Sequence, residues 1–411
     1  MRIVADLHVH SKYARATSSR CDVDGLAEGA KTKGINVVAT GDFTHPAYFH
    51  ELKEKLRKEE NGLFPYAGVH FILSTEVSVV YELNRKIRKI HHVILAPGME
   101  EAEQINDRLA KYGNLTADGR PTLSISSAGL VEELQTISKE IAIIPAHAWT
   151  PWFGIFGSVS GVNSVEEAFE DKADAVFALE TGLSSDPSMN WMLSSLDKYT
   201  LVSNSDCHSP EKLGREANVF ELEELGYDNI INAIKTRKGF VKTYEFYPEE
   251  GKYHYDGHRN CKIRWSPWEA INHKNICPLC RRRITIGVLH RVIELADRKP
   301  GFVPKDAVPF QYIVPLKFLI SKILKKQESS EIVGTEYNKL IRYFGNELSV
   351  FEADERQIRF ATSPEIAEWI VKINKKEVVW LPGYDGVFGE LVLENNPKRG
   401  EDKRQSKLHN F

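Results

Sequence analysis

Residues 6–11 read DLHVHS, and this stretch decides how the rest of the chain is interpreted. Alternate residues of a β-strand point to the same face. Asp6, His8 and His10 would therefore share one face, and the apolar residues between them the other. Imidazole and carboxylate groups are ligands that suit zinc, manganese or iron. The stretch predicts a strand that carries a metal-capable polar face.

Six further apolar runs follow within the first 245 residues, and helix-like segments separate most of them. Strands that alternate with helices predict an α/β fold with a parallel sheet covered on both faces. Seven runs favour a closed or nearly closed barrel, and an open doubly wound sheet is the alternative. The further runs are INVVATGDF, HFILSTEVSVV, HHVILA, IAIIPAHAW, ADAVFALETG and YTLVSNSDCH.

Polar residues cluster late in most of these runs. In a parallel α/β barrel the carboxyl ends of the strands share one rim, where active sites are built. We therefore expect residues that are far apart in sequence to meet there. Burying several imidazoles and carboxylates together without a cation would be costly, so the cluster predicts divalent metals. Its members after the first strand are Asp42, Glu76, His147, Glu180, Asp206 and His208.

Composition sets limits on the function. The 411 residues carry a net charge of −3, so a nucleic-acid binder of this kind needs local basic patches. The first residues lack the apolar core of a signal peptide, and no apolar run reaches the length of a membrane span. We expect a cytoplasmic protein.

Composition changes after residue 246, which predicts further units. We expect a barrel over residues 1–246 and a small zinc-finger module over residues 247–300. A mainly helical domain would follow over residues 301–395, with a flexible tail over residues 396–411.

The ordered motifs DLHVHS, GDFTHP, STEVS, PAHAW and SNSDCHS resemble those of the PHP (polymerase and histidinol phosphatase) family. The resemblance implies a distorted seven-stranded (β/α) barrel that holds two to three metal ions, with zinc the best fit and magnesium or manganese as alternatives for activity. It implies hydrolysis of a phosphate ester by metal-activated water. By motif, the ligands and catalytic residues are His8, His10, Asp42, Glu76, His147, Asp206 and His208.

Three positions near these motifs leave choices open. Asp42 stands where many relatives have a histidine ligand, and His45 is the alternative. His91 and His92 would face opposite sides of a strand, so one of them is a ligand, and we favour His92. Many relatives carry a further ligand about where Arg15 lies, so Arg15 is instead a candidate for contact with a DNA phosphate.

The second half of the chain holds a separate metal motif. His258-x-x-Cys261 is followed after fifteen residues by Cys277-x-x-Cys280, the spacing of a zinc ribbon or knuckle, with one structural zinc. His254 and His273 are alternative fourth ligands. Basic residues around the motif suit DNA phosphates; the candidates are Arg259, Arg264, Arg281, Arg282 and Arg283.

A PHP barrel followed by this finger and by a helical unit resembles the endonuclease Q family, supported by GKYHYDGHRNC, NICPLCRRRITIGVLHRVIELADR and PGYDGVFGEL. The resemblance implies cleavage of DNA, single- or double-stranded, 5′ to a deaminated base (uracil, hypoxanthine, xanthine) or an abasic site. Such cleavage favours flipping of the damaged base. Candidate contacts with the lesion strand are Trp149, Trp152, Phe153 and Ser184.

Other functions fit parts of the sequence. A PHP phosphatase for small esters or a 3′ exonuclease would keep the barrel motifs, and a non-catalytic adaptor that binds damaged DNA would use the metals structurally. The end of the chain, QSKLHNF, matches part of a peptide that binds PCNA-type sliding clamps. The matching residues are Gln405, Leu408 and Phe411.

Overall fold

The structure, a computed structural model, describes residues 1–393. Its strands are β1 (Arg2–Asp6), β2 (Val37–Ala39), β3 (Phe64–Tyr66), β4 (Val69–Leu83), β5 (Lys86–Ala96), β6 (Thr122–Leu123), β7 (Ala142–Pro145), β8 (Ala178–Glu180), β9 (Thr200–Val202), β10 (Ala217–Glu221), β11 (Phe240–Glu245), β12 (Asp256–His258), β13 (Ile263–Trp265), β14 (Phe310–Tyr312), β15 (Val379–Leu381) and β16 (Glu390–Val392). Its α-helices are α1 (Val23–Lys33), α2 (Pro46–Lys55), α3 (Met99–Leu109), α4 (Ser127–Gln135), α5 (Val165–Phe169), α6 (Pro187–Asn190), α7 (Tyr227–Thr236), α8 (Pro267–Asn272), α9 (Val288–Leu295), α10 (Leu316–Leu324), α11 (Glu331–Phe344), α12 (Glu347–Glu352), α13 (Glu355–Ala361) and α14 (Pro364–Asn374). No helix within this range is both long enough and apolar enough to cross a membrane.

The seven predicted runs form an irregular barrel, which confirms the α/β barrel class. Hydrogen-bonded strands follow one another in the order β1, β2, β4, β5, β7, and β8 pairs with β9. Two backbone links join these groups beyond the strand ends. Ala148 N donates to Glu180 O at 2.9 Å, and Asp206 N donates to His8 O at 2.9 Å. The residues after β1 and β9 are thereby held side by side.

Strand β5 departs from the expected parallel sheet. It runs antiparallel to β4 over eleven residue pairs and antiparallel to β7. The cause is the connection: Asn84 and Arg85 both have positive φ, at 54° and 59°, and they close a two-residue hairpin. A parallel pair needs a much longer crossover. The amino-terminal half of β5 therefore lies at the rim that is formed by the carboxyl ends of the neighbouring strands.

Further strands connect the barrel to the helical residues near the C-terminus. β10 and β11 extend the sheet beyond β1, and β14 pairs parallel with β11. Helices α10 to α14 follow β14, and α12 packs beside α1. A buried ion pair between Lys33 and Glu347 fixes that contact, and Tyr337 Oη donates to the same carboxylate at 2.7 Å.

The finger is a small unit with its own core. β12 and β13 form an antiparallel hairpin, and a capping box of Ser266 and Glu269 begins α8. Ala270, Cys277 and Ile284 form the buried centre of the finger. The β15–β16 hairpin lies against it, because Asp385 accepts hydrogen bonds from Arg259 N and from Thr285 Oγ1 at 2.6 Å each.

Candidate active site and metal centres

The rim of the barrel gathers two groups of metal-capable donors. One consists of His8, His10, Glu76 and Asp206, and the other of Glu76, His91 and His147. The donor atoms within each group lie within 4.8 Å of one another, and Glu76 belongs to both. Its Oε2 lies 3.2 Å from His10 Nε2, and its Oε1 lies 2.9 Å from His147 Nε2. A carboxylate in this position could bridge two ions.

Three atoms of the first group are buried and have no hydrogen-bond partner among residues 1–393. They are His8 Nε2, His10 Nε2 and Asp206 Oδ1, and the last two lie 3.1 Å apart. Buried polar atoms normally have a partner, and a site for an ion is one explanation for an exception. Imidazole nitrogens facing carboxylate oxygens are a donor set for zinc, manganese or iron. These residues therefore fit a divalent cation.

Two further carboxylates hold the histidines of β1 from behind. Both oxygens of Glu180 lie 3.1 Å from His8 Nδ1, and Asp42 Oδ1 lies 2.9 Å from His10 Nδ1. A carboxylate on one ring nitrogen fixes the proton there and leaves the other nitrogen free for a metal. Glu180 also accepts from His147 N at 2.7 Å, so it supports both donor groups.

Asp42 was predicted as a ligand, and the structure places it outside both donor groups. Its second oxygen, Oδ2, accepts from Ser11 N at 2.6 Å and from Ser11 Oγ at 2.7 Å. Both oxygens are thus engaged in holding the segment after β1. His45, the alternative, is the N-cap residue of α2 and stacks on Tyr13 with ring centroids 4.4 Å apart, and it too lies outside both donor groups.

The choice of His92 is corrected by the structure. His91 Nδ1 lies 2.8 Å from Glu76 Oε1, whereas His92 Nε2 contacts Ser127 Oγ at 2.9 Å. The two rings face opposite sides of β5, as strand geometry requires. The antiparallel register places Ser78 opposite His91, so His91 is the ring on the side of Glu76.

His208 lies at the edge of the site. Its ring centroid is 4.5 Å from that of His10, and its Nδ1 is 3.1 Å from the backbone oxygen of Asp206. It belongs to neither donor group, and its side chain is 33% exposed. Its position would let it meet an ion or a substrate from the open side.

Three residues of the site have backbone conformations that L-residues seldom adopt. Asp42, His147 and Asp206 have φ values of 43°, 32° and 46°. Left-handed backbone costs energy for a residue with a Cβ, and such residues cluster at functional sites. Each of the three follows a strand of the barrel, where the chain must turn while a polar side chain stays on the rim.

The electrostatics of the site follow from dense burial of opposite charges. Burial opposes protonation of His8, but Glu180 and Glu76 raise its pKa well above the usual value. Burial opposes ionisation of Asp206, but His10 and His8 hold its pKa below the usual range. For His91 burial prevails over Glu76 and lowers the pKa to about 4. The cluster therefore keeps Asp206 ionised and His91 neutral, and a cation bound to His8 would take the place of its proton.

Arg120 is a site residue that sequence reasoning missed. Its Nη1 donates to Glu76 Oε2 at 2.9 Å, and no other guanidinium nitrogen of Arg120 has a partner among residues 1–393. The loop before it is fixed because Gly119 N donates to Tyr13 O at 3.1 Å and Arg15 N donates to Asp118 Oδ1 at 3.3 Å. No motif or periodicity marks this loop in the sequence.

The finger brings its four predicted donors together. The donor atoms of these residues all lie within 4.8 Å of one another; the residues are His258, Cys261, Cys277 and Cys280. Cys280 Sγ is 3.6 Å from His258 Nδ1. Burial opposes ionisation of Cys277, but backbone N–H groups of the following turn lower its pKa to about 6. Thiolates and one imidazole fit a tetrahedral zinc ion.

The two alternative finger ligands lie elsewhere. His254 is buried outside the group, and burial lowers its pKa to about 3. His273 stacks on Trp265, with ring centroids 4.3 Å apart. Neither histidine belongs to the donor group of the finger.

The aromatic loop after His147 divides into core and surface. Trp149 is fully buried and donates from Nε1 to Asn190 Oδ1 at 2.8 Å, so it cannot meet DNA, contrary to prediction. Phe153 stacks on His91 at 4.4 Å and forms part of the site wall. Trp152 is 43% exposed and contacts Tyr253 edge to face, which places it between the site and the finger.

The polar residues that were predicted to contact DNA are exposed or half-buried. Ser184 is half-buried in the loop after Glu180, and Arg15 is exposed, with its Nε 3.2 Å from Asp118. The candidate arginines of the finger are all exposed: Arg259, Arg264, Arg281, Arg282 and Arg283. The clamp-binding residues Gln405, Leu408 and Phe411 lie outside the described residues.

Two solved structures resemble the whole chain. The lesion-specific endonuclease PfuEndoQ from Pyrococcus furiosus superposes with a TM-score of 0.87 at 30% identity, over 100% of this chain and 99% of its own. The chain belongs to the endonuclease Q family. A second structure, endonuclease Q with a 27-mer duplex substrate that carries an abasic lesion at the active site, has a TM-score of 0.85 at 31% identity, over 96% of this chain and 97% of its own. Family membership confirms the predicted class, a metal-dependent hydrolase of the nuclease type.

Two curated proteins of uncharacterized function are also similar to the chain in sequence. An uncharacterized protein of Methanocaldococcus jannaschii is 32% identical over 255 residues, which is 60% of this chain but about a third, 32%, of that protein's own length. YqxK of Bacillus subtilis, also uncharacterized, is 27% identical over 95% of this chain and 99% of its own. No protein-family model matches the chain.

Proposed function

We propose that this chain is a DNA repair endonuclease that hydrolyses the phosphodiester 5′ to a deaminated base or an abasic site. Its support is family membership together with the buried donors His8 Nε2, His10 Nε2 and Asp206 Oδ1, which converge without partners. The related structure with an abasic duplex at the active site makes DNA the best-supported substrate.

The rim residues would hold two divalent ions. His8, His10, Glu76 and Asp206 suit one position, and Glu76, His91 and His147 suit the other. Divalent ions, when bound, neutralise charge on a phosphate and lower the pKa of water toward neutrality. Zinc fits these donors best, and the finger would hold one further zinc.

The chain's own residues prepare this chemistry. Glu180 and Asp42 keep a proton on the Nδ1 atoms of His8 and His10, so that Nε2 faces inward. Two guanidinium nitrogens of Arg120 have no partner among residues 1–393 and lie beside Glu76, and a guanidinium matches the oxygens of a phosphate. We assign Arg120 to the scissile phosphate, where negative charge grows in the transition state.

The lesion would lie against the loop after His147. Trp152 is exposed next to Phe153, and Phe153 stacks on the site residue His91. An extruded base needs a flat apolar surface of this kind. Trp152→Ala should slow cutting of a lesion duplex far more than hydrolysis of bis(p-nitrophenyl) phosphate. Equal losses on both substrates would remove Trp152 from the lesion side.

A mapped cut tests the proposed function. Labelled duplexes that carry one uracil, one hypoxanthine or one abasic site, and an undamaged duplex of the same sequence, are incubated with protein and Zn²⁺, Mn²⁺ or Mg²⁺. We expect a single cut on the 5′ side of each lesion and none in the control. Trimming from the 3′ end would indicate an exonuclease, binding without cutting an adaptor, and release of phosphate only a phosphatase.

The polar tail is a separate proposal. We assign residues 405–411 to a PCNA-type sliding clamp because Gln405, Leu408 and Phe411 match three positions of such a peptide. The full chain should bind immobilised clamp, and a chain that stops at residue 404 should not. Equal retention of both would contradict the assignment.

A further inference from the structure

A cleft of about 650 Å³ lies between the barrel and the helical residues near the C-terminus. Its barrel wall includes Ser209, directly after His208, and Leu183, in the loop that follows Glu180. Its opposite wall comes from α10, α11 and the β15–β16 hairpin. Two chain segments that carry active-site residues therefore also contribute to the wall of the cleft.

Aromatic rings with cations above them line this cleft. Phe388 is 64% exposed, and Phe318 is partly exposed. A cation over an aromatic face and a stacked base are the two features by which proteins hold single-stranded nucleic acid. The distances from each lysine Nζ to the ring centroid are 4.6 Å for Lys252 over Phe388, 5.1 Å for Lys322 over Phe318 and 5.6 Å for Lys317 over Tyr337.

The charges of the cleft are only partly neutralised from within. Arg20 binds both Glu28 and Glu211, and this group of one cation and two carboxylates keeps one negative charge. In the described part of the chain, four other lining cations have no carboxylate within 4 Å. They are Lys212, Arg215, Lys317 and Lys322.

Acidic groups are present as well. Glu328 and Glu390 line the cleft without a cationic partner among residues 1–393, and burial raises the pKa of Glu250 to about 7. The lining is therefore close to neutral overall, and its positive charge is local to the unpaired side chains such as Lys317 and Lys322. Carboxylates among them could accept hydrogen bonds from the amino groups of bases, as they do from cytosine. The mixture suits a ligand that offers both phosphates and base edges.

Arg215 ties the cleft to the active site. Its Nε donates to Ser205 O at 2.8 Å, and its Nη2 donates to Asp206 O at 3.2 Å. The same side chain lines the cleft. A phosphate bound in the cleft would therefore lie one side chain away from the backbone of a predicted ligand.

We propose that this cleft binds a single-stranded segment of DNA that continues from the active site, with bases on Phe388 and Phe318 and phosphates on Lys317 and Lys322. A cleft of this volume accepts unpaired nucleotides, not a duplex. The identity of the nucleic acid as DNA rests on the proposed function, but the binding site itself does not. Duplex DNA has the basic finger as a separate surface.

Binding of undamaged DNA tests the cleft without any cutting. Fluorescence anisotropy compares a labelled 12-mer of deoxythymidine with a labelled undamaged duplex, on the full chain. Phe388→Ala should weaken binding of the single strand about tenfold, because an exposed stacking platform is lost, and should change duplex binding less than twofold. Phe360→Ala is the matched control, since Phe360 is 80% exposed on α13 and outside the cleft.

The salt dependence of single-strand binding is a second, independent test of the cleft. Lys317→Ala with Lys322→Ala removes two phosphate contacts, so the slope of log K against log salt for the single strand should become shallower by about 1.4. Lys339→Ala, on the same helix α11 as Tyr337 but outside the cleft, should leave it unchanged. Single-strand affinity within twofold of wild type in both cleft variants, or equal losses for the duplex, would overturn the assignment. Lesion cutting measured on the same samples reports the proposed function separately.

Discussion

The barrel site and the finger both bring metal-capable donors within 4.8 Å of one another, yet they are built differently. The finger has four donors, three of them sulfur, taken from two short turns, which is enough to complete a tetrahedral ion. The barrel has six donor residues in two groups that share Glu76, and every donor is a nitrogen or an oxygen. These six residues would hold two ions, which could supply a metal-activated water and bind substrate.

The surroundings differ in the same sense. In the barrel, Glu180 and Asp42 contact the Nδ1 atoms of His8 and His10. Arg120 donates a hydrogen bond to the donor residue Glu76. The finger donors pack on Ala270 and Ile284 and are followed by three exposed arginines. The donor sets suit chemistry at the barrel and a structural ion at the finger, and DNA contact by the finger stays a prediction.

Removal of Arg120 is the strongest of the graded tests. Arg120→Ala should slow single-turnover cutting of a lesion duplex about 10²- to 10³-fold, because a charged donor at the developing phosphate charge is lost. Added guanidinium should restore part of the rate. The metal content of the purified protein should not change, and Arg108→Ala should match wild type, since Arg108 pairs with Glu133 away from the site. Loss of metal with the rate would mean that Arg120 supports Glu76 instead of the substrate.

A substitution behind the donors should affect the barrel and spare the finger. Glu180→Gln keeps the shape but weakens acceptance from His8 Nδ1, so metal affinity of the barrel should fall about 10- to 100-fold. Titration with a chromogenic chelator measures this, and the finger ion in the same sample is the control. If both sites lose affinity together, or neither does, the supporting role of Glu180 is wrong.

A substitution in the finger should do the reverse. Cys277→Ser removes one sulfur ligand, so the finger should unfold locally and duplex affinity should fall about tenfold or more as its phosphate contacts are lost. Hydrolysis of bis(p-nitrophenyl) phosphate should stay at the wild-type rate. A parallel loss of this small-substrate activity would show that the finger supports the barrel site.

The smallest effect concerns stability and pH. Burial raises the pKa of Glu245, below the barrel site, to about 8, although Ser203 and Thr243 donate hydrogen bonds to it. The folded state therefore holds a proton that the unfolded state releases above about pH 4.5. The stabilisation is complete below that pH and is lost as pH rises toward 8, at up to about 1.4 kcal/mol per pH unit.

Glu245→Gln should flatten that dependence, because glutamine keeps the contacts without titrating. Urea unfolding at pH 5, 6, 7 and 8 measures the free energy of unfolding in both proteins. Identical pH slopes for wild type and variant would show that Glu245 does not carry the proton.

Local spacing explains what the sequence could predict. The four finger donors lie in two short motifs, so their meeting depends on turns of a few residues. The seven strands of the barrel were visible as apolar runs, and their late polar residues converged as parallel-barrel geometry requires. Asp42 lies at this rim as a supporting residue and not as a donor, because its two oxygens contact Ser11 and His10.

The remaining features depend on tertiary contacts that periodicity does not report. The direction of β5 follows from the two-residue turn at Asn84 and Arg85, and that direction decides between His91 and His92. The turn could have been predicted from the sequence, because the segment between the runs HFILSTEVSVV and HHVILA is too short for a crossover helix. Arg120 reaches Glu76 only because its loop is bound to the segment after β1, and nothing in residues 113–124 marks it.

The central claim is that the barrel donors perform the cutting while other surfaces hold the DNA. The most direct measurement compares wild type with Asp206→Asn on one duplex that carries a single abasic site, with binding and single-turnover cutting recorded on the same samples. The account predicts affinity within about threefold of wild type and a cutting rate at least about 10³-fold lower, beyond the effect of a supporting residue. A variant that still cuts 5′ to the lesion within tenfold of the wild-type rate would contradict it.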